Sequence, residues 1–276
     1  MTDLLRRLFR TRQGAFGVSI LMIVTLICLL GPALAPYSPD RMDFLGRFAA
    51  PGVRHWLGAD QFGRDELSRL LYGARDTVPA ALLATLAGTL VGAVLGTLSA
   101  YAGGSWDEAI MRTIDAVMAI PGLLLALLIA STLGGGEQSA LLAIAIAFAP
   151  GMARITRSVA LAARQEEYVA AAIARGESGV RIVFAEMLPN VIAPVIVETT
   201  IRVSFAVMLL ATLSFLGLGA QPPSSEWGLL VSDGRTYLHD APWLVLVPGA
   251  AIAISAIGFN LLGDGLRDAL NPRDER

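Results

Sequence analysis

Six stretches of predominantly apolar residues, at 14–35, 78–102, 114–133, 140–160, 191–216 and 243–262, constrain this chain more than any other feature. A helix needs about 20 such residues to cross roughly 30 Å of hydrocarbon, and each run reaches that length. The spacing predicts an all-α polytopic membrane protein with six transmembrane helices. Only 16% of the 276 residues are charged while 55% are hydrophobic, too few charges to cover an ordinary soluble domain, where about 25% is usual. The first run follows Arg6, Arg7, Arg10 and Arg12. It is longer than the apolar core of a secretion signal and enters Pro36-Tyr37-Ser38-Pro39 without a small-x-small cleavage site, so it reads as a retained span.

All 21 basic residues are arginine. Without lysine there is no Schiff-base chemistry and no phosphate-binding GxxxxGKS/T loop, so the chain cannot cradle ATP phosphates in that way. A net charge of −2 gives no basic surplus for nucleic acid. Cys28, His55 and His239 are too few for an internal disulfide or a Cys/His metal site. The arginines also speak to orientation. With the N-terminus inside, 13 of the 21 fall on the cytoplasmic side: four before the first run, then Arg112, Arg154, Arg157, Arg164, Arg175, Arg181, Arg267, Arg273 and Arg276. That excess predicts both termini inside. Residues 37–76 oppose it, since they hold six arginines outside, accompanied by Asp40, Asp43, Asp60, Asp65, Glu66 and Asp76.

Within the apolar runs, Gly88, Gly92 and Gly96 share one helix face and let another helix approach closely, within this subunit or across a dimer seam. Pro150-Gly151 removes one backbone hydrogen bond and predicts a bend. Glu198 and Arg202 stand four residues apart in the fifth run, in the favourable order for an ion pair. Charges at that depth face a bundle interior or a wet cavity, so the pair either lines a pathway for a polar solute or is structural. Asn260 and Asp264 lie one turn apart near the end of the sixth run and read as packing or termination residues.

Between the fourth and fifth runs, residues 161–189 are too polar to span and too patterned for a plain connector. Residues 166–175 read as an alanine-rich helix, Gly176-Glu177-Ser178-Gly179 breaks it, and a helical pattern resumes from Val180 to Pro189. Such a unit suits docking, because Ala170, Ala171, Ala172 and Gly176 permit close approach; an interfacial hairpin lying on lipid is the plainer alternative.

The stretch resembles the cytoplasmic loop of the membrane subunits of binding-protein-dependent ABC importers. Ala171, Ala172, Gly176, Leu188 and Pro189 stand at the spacings of the EAA, three residues, Gly, nine residues, Ile-x-Leu-Pro signature, with Ala170 for the leading Glu and Glu186 for the Ile. Glu167-Tyr168-Val169, Ser178, Arg181-Ile182 and Asn190 look like the peptide and nickel branch, which usually has His where this chain has Glu186. Trp56-Leu57-Gly58, Gly63-Arg64-Asp65, Leu67-Ser68-Arg69, the 215–219 and 222–228 stretches, Pro242-Trp243, Asn260 to Asp264 and Asn271-Pro272-Arg273 extend the likeness over nearly the whole chain, to the second, C-type permease of the pair.

The resemblance implies the type I importer permease (MetI-like) architecture in the bacterial inner membrane. It divides the chain into 1–76 (tail, first helix and external segment), a five-helix core at 77–267 and a cytoplasmic tail at 268–276. It implies that this chain is non-catalytic and binds no cofactor, ATP and Mg being used by two cytoplasmic ATPase subunits. The other partners are a second permease and an external solute-binding protein facing segments 37–76 and 217–241. Glu167, Tyr168, Ala171, Ala172, Gly176, Ser178, Arg181, Leu188 and Pro189 would form the ATPase-coupling loop. Di- or oligopeptides are the default cargo, and nickel, glutathione, opines or oligosaccharides the alternatives. Two other classes compete. A secondary transporter would also use polar, broken spans, although the two triplets of runs show no repeat. An intramembrane serine protease could use Gly176-Glu177-Ser178-Gly179, but both histidines are expected on the opposite side of the membrane from Ser178.

Overall fold

Helix α1 (Arg12–Leu34) starts where the Thr11 hydroxyl accepts the Gly14 N–H at 3.1 Å, satisfying one of the free donors of its first turn. The computed structural model describes residues 7–9 and 11–270; Arg6, Arg10 and the 271–276 tail, with Asn271-Pro272, Arg273 and Arg276, lie outside the described residues. Helix α2 (Glu66–Ala102) is capped by Asp65 and begins well before the apolar run at 78. Its first turns carry Glu66, Ser68 and Arg69, all buried, so hydropathy alone reads them as loop. The chain leaves α2 at Gly103, whose φ of +65° only glycine adopts readily.

The predicted third span, 114–133, is not one helix. The chain forms α3 (Gly104–Met118) and α4 (Gly122–Thr132), inclined at 87° to each other. Pro121 explains the break: it has no N–H to donate and pushes Ile120 out of the helical region. Helix α5 (Glu137–Ala163), by contrast, runs through Pro150 as a single element. Then come α6 (Glu167–Ala174), a helical turn at Gly179–Arg181, a π-helical turn at Ile182–Met187, α7 (Leu188–Phe215), α8 (Trp227–Gly234) and α9 (Trp243–Leu270). Asn260 and Asp264 do not terminate α9, which continues to Leu270. Among the described residues, α1, α2, α5, the helical run Gly179–Phe215 that contains α7, and α9 are long and apolar enough to span, and the bent pair α3–α4 makes a sixth if counted as one.

Small residues set the helix spacing. Gly88, Gly92 and Gly96 of α2 lie on α5, running parallel to it: an added Cβ would stand 2.6 Å from the Ala145 carbonyl, 2.6 Å from that of Ala149 and 2.8 Å from the Arg157 nitrogen. No side chain fits there, so backbone packs on backbone and gains dispersion that lipid cannot match. On the far side, α1 and α9 cross antiparallel at Gly14, Gly17, Gly258 and Gly265. Phe16, Ile23, Leu26 and Leu30 of α1 stay exposed, the composition expected of a face turned to lipid.

The connections gather at two ends. At one lies the 161–189 loop; at the other, residues 36–65 and 216–242 pack on each other as a cap. Asp60 is the hub of the cap. Its carboxylate accepts from Arg64 Nε at 2.6 Å and Arg69 Nη1 at 3.1 Å, and all three residues are buried. Arg69 reaches on to the Ser224 carbonyl at 3.4 Å and to Asp233 at 3.9 Å. Burial pushes the Asp233 carboxyl above its ordinary range, with the Arg69 charge pulling it back. The Trp227 indole donates to the Leu70 carbonyl at 3.0 Å, and the Trp243 indole to that of Ala59 at 3.3 Å. Arg54 pairs with Asp43 at 2.8 Å, while Arg41 lies over Tyr37 and Arg47 over Phe48. The arginines that stood out in this segment are thus largely neutralised or stacked within it.

Candidate functional site

The loop unit has two unlike faces. Val169, Ala172, Ile182 and Met187 are buried and pack with Ala100, Ala160 and Val191 of α2, α5 and α7. Glu167, Ala171, Gly176, Arg181 and Pro189 are exposed, and Tyr168 and Leu188 are half-buried. Adjacent motif residues therefore have different duties, Ala172 holding the unit to its own spans and Ala171 lying open. Burial pushes the Tyr168 phenol upward, helped by the nearby carboxylates of Glu166 and Glu186.

Gly176 ends α6. Its N–H donates to the Ile173 carbonyl at 2.9 Å, and that of Glu177 to Ala172 at 3.2 Å, the double bond of a Schellman turn, which needs a left-handed residue at this position. Gly176 supplies φ +73°, and nothing in this chain lies within 4 Å of where its Cβ would be. Ser178 caps the next turn, its hydroxyl accepting the Arg181 N–H at 3.4 Å. His55 is far away in the cap, bonded through Nδ1 to Asp65 at 2.8 Å, and His239 is in the cap's 216–242 segment, so neither histidine can serve Ser178 as a base. Ser178→Ala is expected to lose about 1 kcal/mol of local stability and at most a small part of ATP-driven uptake; complete loss of uptake with normal assembly and ATP hydrolysis that still responds to the binding protein would give the hydroxyl a role beyond capping.

Glu186, where the resembling branch has His, takes part in a local charge cluster: Arg175 reaches Glu177 at 2.7 Å and Glu186 at 3.5 Å, and Arg181 reaches Glu177 at 3.3 Å. Two contacts brace the unit to the spans and a third joins the spans beside it. Arg164 donates to the Ala100 carbonyl at 2.9 Å, Gly179 leaves room for the Tyr101 ring, and Arg157 pairs with Asp107, tying α5 to α3. Sequence reasoning missed this bracing, and also the apolar outer face of Ile173, Val180 and Phe184, each exposed. Their signal was present, since large apolar residues in a loop unit with its buried face already filled require another cover.

Glu198 and Arg202 sit midway along α7, 3.2 Å apart. The guanidinium reaches across to α5, where it lies 5.7 Å from the Phe148 ring centre and rests on Gly151, whose added Cβ would be 2.8 Å from Nη2. Gly151 thus seats Arg202.

The match to families follows this geometry. Residues 77–275 fit the profile of the binding-protein-dependent transport system inner membrane component, and residues 1–51 that of the N-terminal transmembrane domain of oligopeptide transport permease C. The chain belongs to the binding-protein-dependent permeases. Among its relatives, a putative peptide transport system permease protein of Brucella suis is 42% identical over 97% of this chain and 90% of that one. The dipeptide transport system permease protein DppC of Haemophilus influenzae is 39% identical over 96% and 92%, and the glutathione transport system permease protein GsiD of Escherichia coli 36% over 97% and 89%. In fold, this permease is similar to a chain of the MetNI methionine ABC transporter in an inward-facing conformation, with a TM-score of 0.59 at 18% identity, covering 74% of this chain and 97% of that one. The binding-protein-dependent permease is accordingly a multi-pass inner-membrane transport subunit without a catalytic centre of its own, a partner ATPase hydrolysing ATP.

Proposed function

We propose that this chain forms half of the pathway of an ATP-driven di- or oligopeptide importer and is coupled to its ATPase through residues 167–189. The observation that carries the coupling assignment is the two-faced loop: its inner face is filled by the chain's own spans, while Ala171, Gly176 and the exposed Ile173, Val180 and Phe184 present a small-residue and apolar outer face. The peptide class is supported by relatives named as peptide and dipeptide permeases at 39–42% identity. The complete transporter contains a second permease, two ATPase subunits that use ATP and Mg, and an external binding protein that engages the cap. ATP-driven closure of the ATPases then biases the membrane half between two states.

This reading places both termini in the cytoplasm and counts α3–α4 as one of six spans. The internal pairing of Arg54, Arg64 and Arg69 supports that orientation, because arginines already matched by Asp43 and Asp60 weigh less against an external cap. Affinity purification of the tagged chain from its native membrane is the test. A stable complex with an ATP-hydrolysing chain, and peptide uptake into vesicles that requires ATP, are expected. Uptake by the chain alone would overturn the assignment in favour of a secondary transporter.

A further inference from the structure

Beside Arg202 is a cleft of about 320 Å³ lined by Gly122, Leu123, Phe148, Phe205 and Met208 with the guanidinium itself. Three elements build it: the start of α4 after the break at Pro121, the middle of α5, and the middle of α7. Its walls are apolar apart from Arg202 and Thr212. The guanidinium is fixed over Gly151 and Phe148, yet Glu198 engages it by a single contact at 3.2 Å, and Nε is buried without a hydrogen-bond partner. Five N–H donors are far more than that contact uses, and a guanidinium offers its free edge to a carboxylate in bidentate fashion. Gly122 and Leu123, at the start of α4 where no side chain caps the helix, line the same cleft, and the space where a Gly122 Cβ would point is empty. Depth excludes lipid phosphate as the partner: Arg202 stands about 20 Å from either end of α7 at the rise of a helix, out of reach of the headgroups.

We propose that this cleft is a way-station in the translocation pathway, where Arg202 takes the carboxylate of the passing solute in exchange for Glu198. The inference rests on the importer reading and adds to it the group that the permease itself recognises. Glu198 keeps the guanidinium charge matched when the cleft is empty, and the solute carboxylate replaces that weak contact during passage. Binding here must stay modest, since a solute that is held too well is not released.

The test uses the complete transporter, with its partner permease, ATPase subunits and binding protein, reconstituted in vesicles. Uptake of alanyl-alanine is compared with uptake of its C-terminal amide, and the ratio of the two is read for each variant with the same binding protein, whose own preference then cancels between variants. Arg202→Gln is expected to lower the carboxylate-to-amide ratio by at least about tenfold. Arg202→Lys, which keeps the charge, should lower it less. Glu198→Gln should raise it by about threefold, the opposite sign, because the resident competitor is weakened. If Arg202→Gln does not assemble, the lysine and Glu198→Gln variants carry the test alone. Equal losses for both peptides, or unchanged ratios in the variants that assemble, would make Arg202 a staple between α5 and α7 and overturn the proposal while leaving the importer intact. Failure of the native complex to import either peptide would overturn the importer reading itself.

Discussion

Gly176→Trp is expected to leave the complex assembled but to reduce ATP-driven uptake by at least about tenfold, while ATP hydrolysis by the partner subunits continues. Two effects combine. A tryptophan at φ +73° is strained, with a left-handed backbone costing an ordinary residue about 1–2 kcal/mol. Its indole also projects into the open space beyond the turn, where the proposed ATPase contact lies. At 1.4 kcal/mol per factor of ten, loss of a few kcal/mol in docking suffices. Gly176→Asn separates the two contributions, because asparagine tolerates the left-handed region yet still adds a side chain to the outer face. Uptake and hydrolysis measured together in proteoliposomes decide the matter: normal uptake by the tryptophan variant would remove this turn from the coupling surface.

Asp60→Ala is expected to destabilise the cap by about 3–5 kcal/mol, the usual consequence of removing one partner from a buried ion group. The carboxylate serves Arg64 and Arg69 at once and also accepts the Phe62 and Arg64 N–H groups at 2.8 and 2.9 Å. Its removal strands two buried guanidiniums and loosens the grip of Arg69 on Ser224 and Asp233, where the 36–65 and 216–242 segments meet. Thermal unfolding in detergent, followed through Trp227 and Trp243 fluorescence, should show the cap melting earlier than in the unaltered protein. An unchanged transition would mean that the cap is held by its apolar contacts alone.

Much of the fold is legible in the sequence. Apolar runs reveal spans because hydrocarbon tolerates little else, and α1, α5 and α9 begin within a few residues of the predicted starts. The first helix and the glycine turn of the loop unit are legible from spacing and residue type, but the second helix does not stop at Pro189: it runs on as one helical stretch, Gly179–Phe215, because a proline in the first turn of α7 has no intrahelical N–H bond to lose. Besides the bracing and the apolar face of the loop unit, other features escaped. The start of α2 is polar and buried, so a hydropathy window discards it. Pro121 breaks a run whose composition alone looks continuous, and a proline in a membrane helix is ambiguous: Pro150, Pro194 and Pro248 all lie inside unbroken helices. Gly151 also seats a guanidinium arriving from another helix. Such a role depends on a residue 51 positions away, and periodicity within one helix carries no trace of it.

The parallel glycine seam between α2 and α5 has a mechanical consequence. Both helices begin at the cap end and finish at the loop end, where Arg164, Tyr101 and the Arg157–Asp107 pair clamp their feet to the loop unit and α3. Locked backbone to backbone, the two helices have the bending stiffness of a doubled beam. Within the seam α5 carries Pro150, whereas α2 carries none until Pro79, the only proline in that helix. In the importer reading, Pro79 is then the position in α2 best suited to take up a tilt between the loop and the cap, remote from both surfaces at which partners would act.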